Sequence, residues 1–179
     1  MNKAAKNLQL FYSNLVHTTC LAHALNCLAE VVRIEFPLVN SLINTGKKVF
    51  LKAPSRIEVF REKVKDVALP PQPILTRSGS WVEAALYYCE HYAEFKEIVN
   101  DFDPSCAQSV ADCQSALKNY GLSSQLSYIK SHFSDIPDII KKLETQNLLL
   151  TESLGLIENF QKTIDANKGD ACKKIHKIE

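Results

Sequence analysis

Residues 80–100 read SWVEAALYYCEHYAEFKEIVN, and within them Trp81, Ala85, Tyr88, Tyr92, Phe95 and Val99 recur at alternating steps of four and three. Such a spacing lines one side of a 3.6-residue helix, whereas a half-buried strand alternates every second residue. Ser80 with Glu83 has the spacing of a capping box, which predicts the helix start. Working outward, Ser55 with Glu58 repeats that signature ahead of Ile57, Phe60 and Val64. It predicts a second helix running to about Val67, with Pro54 just before it. Asp103-Pro104 reads as an N-cap followed by proline at the first helical position, and Gly121 as the stop of that helix. Leu122, Leu126, Ile129 and Phe133 form the next stripe.

The longest pattern runs from Pro137 to about Asn167, where Ile140, Leu143, Leu150, Leu154, Ile157 and Ile164 fall on a heptad seam interrupted by Asn147 and Gln161. The favoured reading is one long helix in an intramolecular bundle. The alternative is self-association, in which a seam asparagine fixes register. Asn14-Leu15-Val16-His17-Thr18-Thr19 is the one strand-like segment. The fold class expected is mainly α, a multi-helix bundle with at most one or two short strands.

Composition narrows the function classes. A chain of 179 residues, 46% of them hydrophobic, can bury one ordinary core. No apolar run approaches the roughly 20 residues that cross a bilayer, and Met1-Asn2-Lys3-Ala4-Ala5-Lys6 opens no signal-like segment. A nuclear or cytoplasmic, non-secreted protein without membrane contact is expected, and the six scattered cysteines are expected to be reduced. The net charge of +1 provides no global attraction to a polyanion. Locally it is uneven: Lys47, Lys48, Lys52, Arg56, Arg61, Lys63 and Lys65 face only Glu58 and Glu62 in that stretch. From Glu83 to Asp103 the sign reverses, with Glu83, Glu90, Glu94, Glu97, Asp101 and Asp103 opposed by Lys96 alone. The basic stretch is the candidate DNA-binding surface, and the two stretches have the charges to attract each other.

His17, Cys20, His23 and Cys27 form an H-x2-C-x2-H-x3-C string. On a helix beginning near Cys20, the residues Cys20, His23 and Cys27 share a face and have the donor types that zinc takes. The apolar residues between them favour a packing role with the histidine hydrogen-bonded in a core, so no metal is assigned. Cys20 as a nucleophile activated by His23 lacks a third, orienting group. The acid pairs Asp101/Asp103 and Asp135/Asp138 sit beside predicted helix starts, where capping accounts for them. No phosphate-cradling glycine loop is present, and no cofactor is implied.

Two strings carry more. His17-Thr18-Thr19-Cys20-Leu21-Ala22-His23-Ala24-Leu25-Asn26 resembles the CxxH block of hAT-superfamily (hobo/Activator type) transposases, where a strand of an RNase H-like core passes into a helix. Leu75-Thr76-Arg77-Ser78-Gly79-Ser80-Trp81, followed by Ala85-Leu86-Tyr87-Tyr88, is similar to the T-R-W-G-x-W block of some hAT-derived proteins, where an all-helical insertion unfolds. Ser78 stands where that block has its first tryptophan, while Arg77 and Trp81 match. The resemblance covers roughly residues 1–165. It implies a partial RNase H-like segment over 1–36 (strand about 14–19, helix about 20–36) and an insertion-type helical domain over 80–179; between them the charge pattern gives a basic helical segment over 37–69, and Pro70-Pro71-Gln72-Pro73 a linker over 70–79.

Such transposases cut DNA with two divalent metals held by three acids. The family's two aspartates lie upstream of the block matched by His17–Asn26 and its glutamate follows the insertion, so the resemblance implies that the trio is not encoded here. The expectation is a catalytically incomplete, transposon-derived protein that is not an enzyme. It would act by binding DNA through Lys47, Lys48, Lys52, Arg56, Arg61, Lys63, Lys65 and Arg77, or by binding itself or a related full-length transposase-like chain. Cys20, His23, Arg77 and Trp81 are its family-motif positions. The alternatives are a zinc protein or enzyme using Cys20 and His23, and a folded remnant without activity. A core fragment is also expected to leave apolar surface uncovered.

Overall fold

The computed structural model describes residues 2–16, 18, 20–74 and 77–166, and it is mainly α. The α-helices are α1 (Asn2–Gln9), α2 (Leu21–Glu35), α3 (Pro37–Phe50), α4 (Pro54–Lys63), α5 (Gly79–Glu90), α6 (Tyr92–Asn100), α7 (Gln108–Leu117), α8 (Leu122–Phe133), α9 (Ile136–Leu143) and α10 (Leu150–Ala166), with a 3₁₀ turn at Pro104–Cys106. No strand occurs among the described residues. Asn14, Leu15, Val16 and Thr18 lie outside any regular element, and His17 and Thr19 fall outside the described residues. A strand exists only through a partner's hydrogen bonds. Here the Leu15 carbonyl accepts instead from the Gln9 side chain at 3.1 Å.

The centre is built by α3, which lies along α7 and also touches α2, α4, α5 and α8. Val39, Leu42, Ile43, Gly46, Val49 and Phe50 are its buried positions, a wide apolar stripe of the kind a central helix needs. Pro37 stands at its first turn, where the missing N–H costs nothing, and the residue before it, Phe36, bends the chain out of α2 with ψ 67°. Helix α5 packs on α8, and α2 packs on α5 and α9. Leu122, Leu126, Ile129 and Phe133 are all buried, as the spacing predicts. One apolar cluster runs from Leu25 to Ile164 through Trp81, Tyr88, Phe95 and Phe133.

Several local expectations are corrected. The 80–100 pattern is two helices, because the backbone at His91 (φ −111°, ψ 25°) leaves the helical region between α5 and α6. Its stripe nonetheless stays buried at Trp81, Ala85, Tyr88, Phe95 and Val99. The Ser80 hydroxyl accepts from the Ile74 N–H and donates to the Arg77 carbonyl, both at 2.7 Å, so it fastens the proline-rich stretch instead of capping α5. Glu83 pairs with Lys141 of α9 at 2.7 Å. Ser55 caps nothing either: α4 begins at Pro54 behind Ala53 and ends at Lys63, short of Val67. The Asp103 carboxylate does cap its turn, accepting from the Ser105 N–H at 2.8 Å. Gly121 starts α8, since α7 has ended at Leu117. The 137–167 seam breaks at Asn147, whose φ of 63° is left-handed. Asparagine tolerates that region better than most residues. The residue read as a register device therefore turns the chain between α9 and α10. Leu150 is left 71% exposed.

Candidate functional site

Helix α2 carries residues 21–26 of the first string, and its phase decides what they can do. Ala22, Leu25, Ala29 and Val32 are its buried positions. Cys20, His23, Ala24 and Cys27 are exposed on the opposite side, Val31 is half-buried, and Ile34 is 65% exposed. The expectation of a histidine buried in the core is therefore corrected. The side of the helix that packs is the alanine-leucine-valine one. His23 Nε2 stands 3.5 Å from Cys27 Sγ, one turn apart. Cys20 precedes the helix as its N-cap, with no side-chain capping bond. His17 lies outside the described residues. Among the described residues no group of three or more His, Cys, Asp or Glu converges as metal ligands would.

The structure brings the two strings together. Asn26, last residue of the first, accepts from the Gly79 N–H at 3.1 Å through Oδ1 while its Nδ2 donates to the Ala22 carbonyl at 3.0 Å. Ser78 donates to Glu30 at 3.0 Å, and Trp81, 3% exposed, donates through Nε1 to Asn40 Oδ1 at 3.1 Å. Asn26, Glu30 and Asn40 are thus the residues that sequence reasoning missed. The only available signal was polar residues on otherwise apolar helical stretches. Two small clefts flank this junction. One, of about 120 Å³, is lined by Asn26, Arg77, Ser80, Glu83 and Lys141 among others. The other, of about 70 Å³, includes Glu30, Arg33, Lys47 and Ser78. Both are well below the roughly 300 Å³ at which small-molecule sites begin.

The Glu30 carboxyl titrates below the usual range because Arg33 donates to it, with the Ser78 hydroxyl assisting against partial burial. A depressed folded-state pKa means the stabilisation is complete above the ordinary glutamate value of 4.5 and is lost as the pH falls below it. Thermal unfolding followed between neutral pH and about pH 3 should show an acid-side loss of stability that is smaller in Glu30→Gln.

The expected DNA face is partly consumed within the fold. Arg56 Nε donates to the Val49 carbonyl at 2.6 Å, closing the end of α3, and Lys63 pairs with Asp101, the residue just after α6. That ion pair joins the basic and acidic stretches as their charges suggested. Lys47 is half-buried at the smaller cleft, and Arg77 is exposed at the rim of the larger. Lys48, Lys52, Arg61 and Lys65 are exposed, with no carboxylate ion pair among the described residues. Ahead of α2, Leu10, Phe11 and Val16 are each more than 80% exposed, and Tyr12 is 63% exposed. No helix among the described residues is long and apolar enough to cross a membrane.

No family model, curated protein or solved structure matches the chain.

Proposed function

We propose that this chain is a transposon-derived, non-catalytic binding module of hAT-like kind that works by docking onto another chain of the same kind, a second copy being the simplest case. The observation that carries the reading is the outward face of α2, where Cys20, Ala24, Cys27 and Ile34 are exposed and Val31 is half-buried. Cys20, Ala24, Cys27, Val31 and Ile34 make a stripe with no charged side chain, so two copies can approach there without like-charge repulsion. Leu10, Phe11, Tyr12 and Val16 add further exposed apolar surface just before that helix. Exposed apolar surface of this extent marks an interaction site. The meeting of the Asn26 and Gly79 strings supports the hAT reading, because residues far apart in sequence that match two blocks of one family form one junction.

Sedimentation velocity over a range of protein concentrations tests this. The chain is expected to self-associate, and Ile34→Glu is expected to shift it to monomer with its helical content intact. A chain that stays monomeric at every concentration, or associates equally well with Ile34→Glu, contradicts the reading.

Lys48, Lys52, Arg61 and Lys65 favour a second reading, contact with nucleic-acid phosphates. Its mark is an affinity for DNA that falls steeply with salt and weakens in Lys48→Glu/Lys52→Glu. Salt-independent binding or none contradicts it.

A further inference from the structure

We infer that His23 and Cys27 are half of a zinc site that a second copy of the chain completes. Two ligands on one tetrahedral zinc, with Zn–S about 2.3 Å and Zn–N about 2.0–2.1 Å, stand roughly 3.5 Å from each other. His23 Nε2 and Cys27 Sγ are 3.5 Å apart in the structure, so the pair already has the length of one edge of that tetrahedron. The i, i+4 spacing on α2 sets this distance, because residues four apart stack on one face. Both side chains are exposed, so a metal can reach them without opening the fold. One soft thiolate and one imidazole are donors that zinc accepts in preference to magnesium or calcium.

The described residues of one chain supply no third ligand, and zinc in a closed site takes four. A second His23–Cys27 pair related by a twofold axis provides the other two, giving a Cys2His2 set with the metal on the axis. The surrounding face allows that approach: Cys20 and Ala24 are small, Val31 and Ile34 are apolar, and the charged side chains beside it, Glu30 and Arg33, already pair with each other. On binding, each Cys27 thiol gives its proton to solvent and each His23 coordinates as the neutral ring, so assembly weakens as the pH falls. The inference rests on the docking reading, to which it adds the partner and the metal.

The test uses the full chain with zinc sulfate or with a chelator, reading metal content and mass together. The expected result is one zinc per two chains and a dimer that the chelator dissociates. Cobalt(II) substituted for zinc should give the thiolate charge-transfer absorption of a sulfur-nitrogen site. His23→Ala and Cys27→Ser should each lower zinc affinity by at least about tenfold, with unchanged thermal melting of the metal-free chain. Cys20→Ser should bind zinc as the parent does. One zinc per monomeric chain, loss of zinc in Cys20→Ser, or no zinc uptake would each overturn the site. A dimer that forms without zinc and ignores the chelator overturns the metal site while leaving the docking reading intact. A monomer under all conditions removes both.

Discussion

Trp81→Ala is expected to cost about 3–5 kcal/mol of stability, the usual loss when a buried tryptophan is cut to its first carbon. Trp81 is buried at the start of α5, against the core cluster that joins α2, α3 and α5. The substitution creates a cavity and also strands Asn40 Oδ1, which accepts the indole N–H at 3.1 Å. Trp81→Phe separates the two effects. It keeps most of the ring volume and loses the hydrogen bond, so a smaller loss of about 1–3 kcal/mol is expected. Because Trp81 is the sole tryptophan, denaturant unfolding is to be followed by circular dichroism. A Trp81→Ala midpoint within error of the parent's would show that this junction is not part of the cooperative core.

Gly46→Ala is expected to destabilise, although alanine in a helix interior ordinarily gains about 1 kcal/mol over glycine. A Cβ at Gly46 would run into the Tyr88 hydroxyl and stand 3.0 Å from Tyr88 Cζ and 3.1 Å from Phe95 Cζ. Tyr88 cannot swing away, since it is fully buried and its ring meets Phe95 and Tyr87 edge-on at 4.9 and 5.6 Å. Overpacking of this kind costs about 1–3 kcal/mol and outweighs the propensity gain. The Tyr88 hydroxyl has no hydrogen-bond partner among the described residues, and burial raises its pKa far above the ordinary phenol value. Tyr88→Phe therefore removes an unpaired polar atom together with the nearest obstacle. Alone it should be neutral or stabilising by up to about 1 kcal/mol. In combination it should recover most of the Gly46→Ala loss, so the double-mutant cycle is strongly non-additive. Additive changes would mean that the two residues do not meet as described.

What the sequence revealed follows from where its patterns were one-sided. Leu122, Leu126, Ile129 and Phe133 have polar residues between them, so period and phase are both fixed, and all four are buried. Asp103 before Pro104 could act only locally, and it caps its turn. Helix α2 was legible as a helix but not in its orientation. Ala22, Leu25, Ala29 and Val32 lie on one side and Ala24, Cys27, Val31 and Ile34 on the other, with His23, Asn26, Glu30 and Arg33 between them, so two apolar stripes competed for the core. That is why His23 and Cys27 were placed inward and are found outward. Ser80 and Glu83 have the spacing of a cap, but a hydroxyl and a carboxylate are claimed by whichever partner tertiary structure brings closer. Here these are the Arg77 carbonyl and Lys141. Asn147 fitted a heptad, and its tolerance of positive φ let it end one helix instead. In the basic stretch, Arg56 and Lys63 were drawn to partners seven and thirty-eight residues away, which charge counting along the chain does not register.

Mild oxidation of the full chain tests directly whether α2's outward face is a contact between copies. A twofold pairing through Ala24 and Cys27 brings the two Cys27 thiols within disulfide range of one another, Cα atoms about 4.4–6.8 Å apart. The expected product is a disulfide-linked dimer that vanishes in Cys20→Ser/Cys27→Ser and persists in Cys106→Ser, Cys106 being exposed elsewhere on the fold. Failure to cross-link, or an undiminished dimer in Cys20→Ser/Cys27→Ser, would contradict that contact.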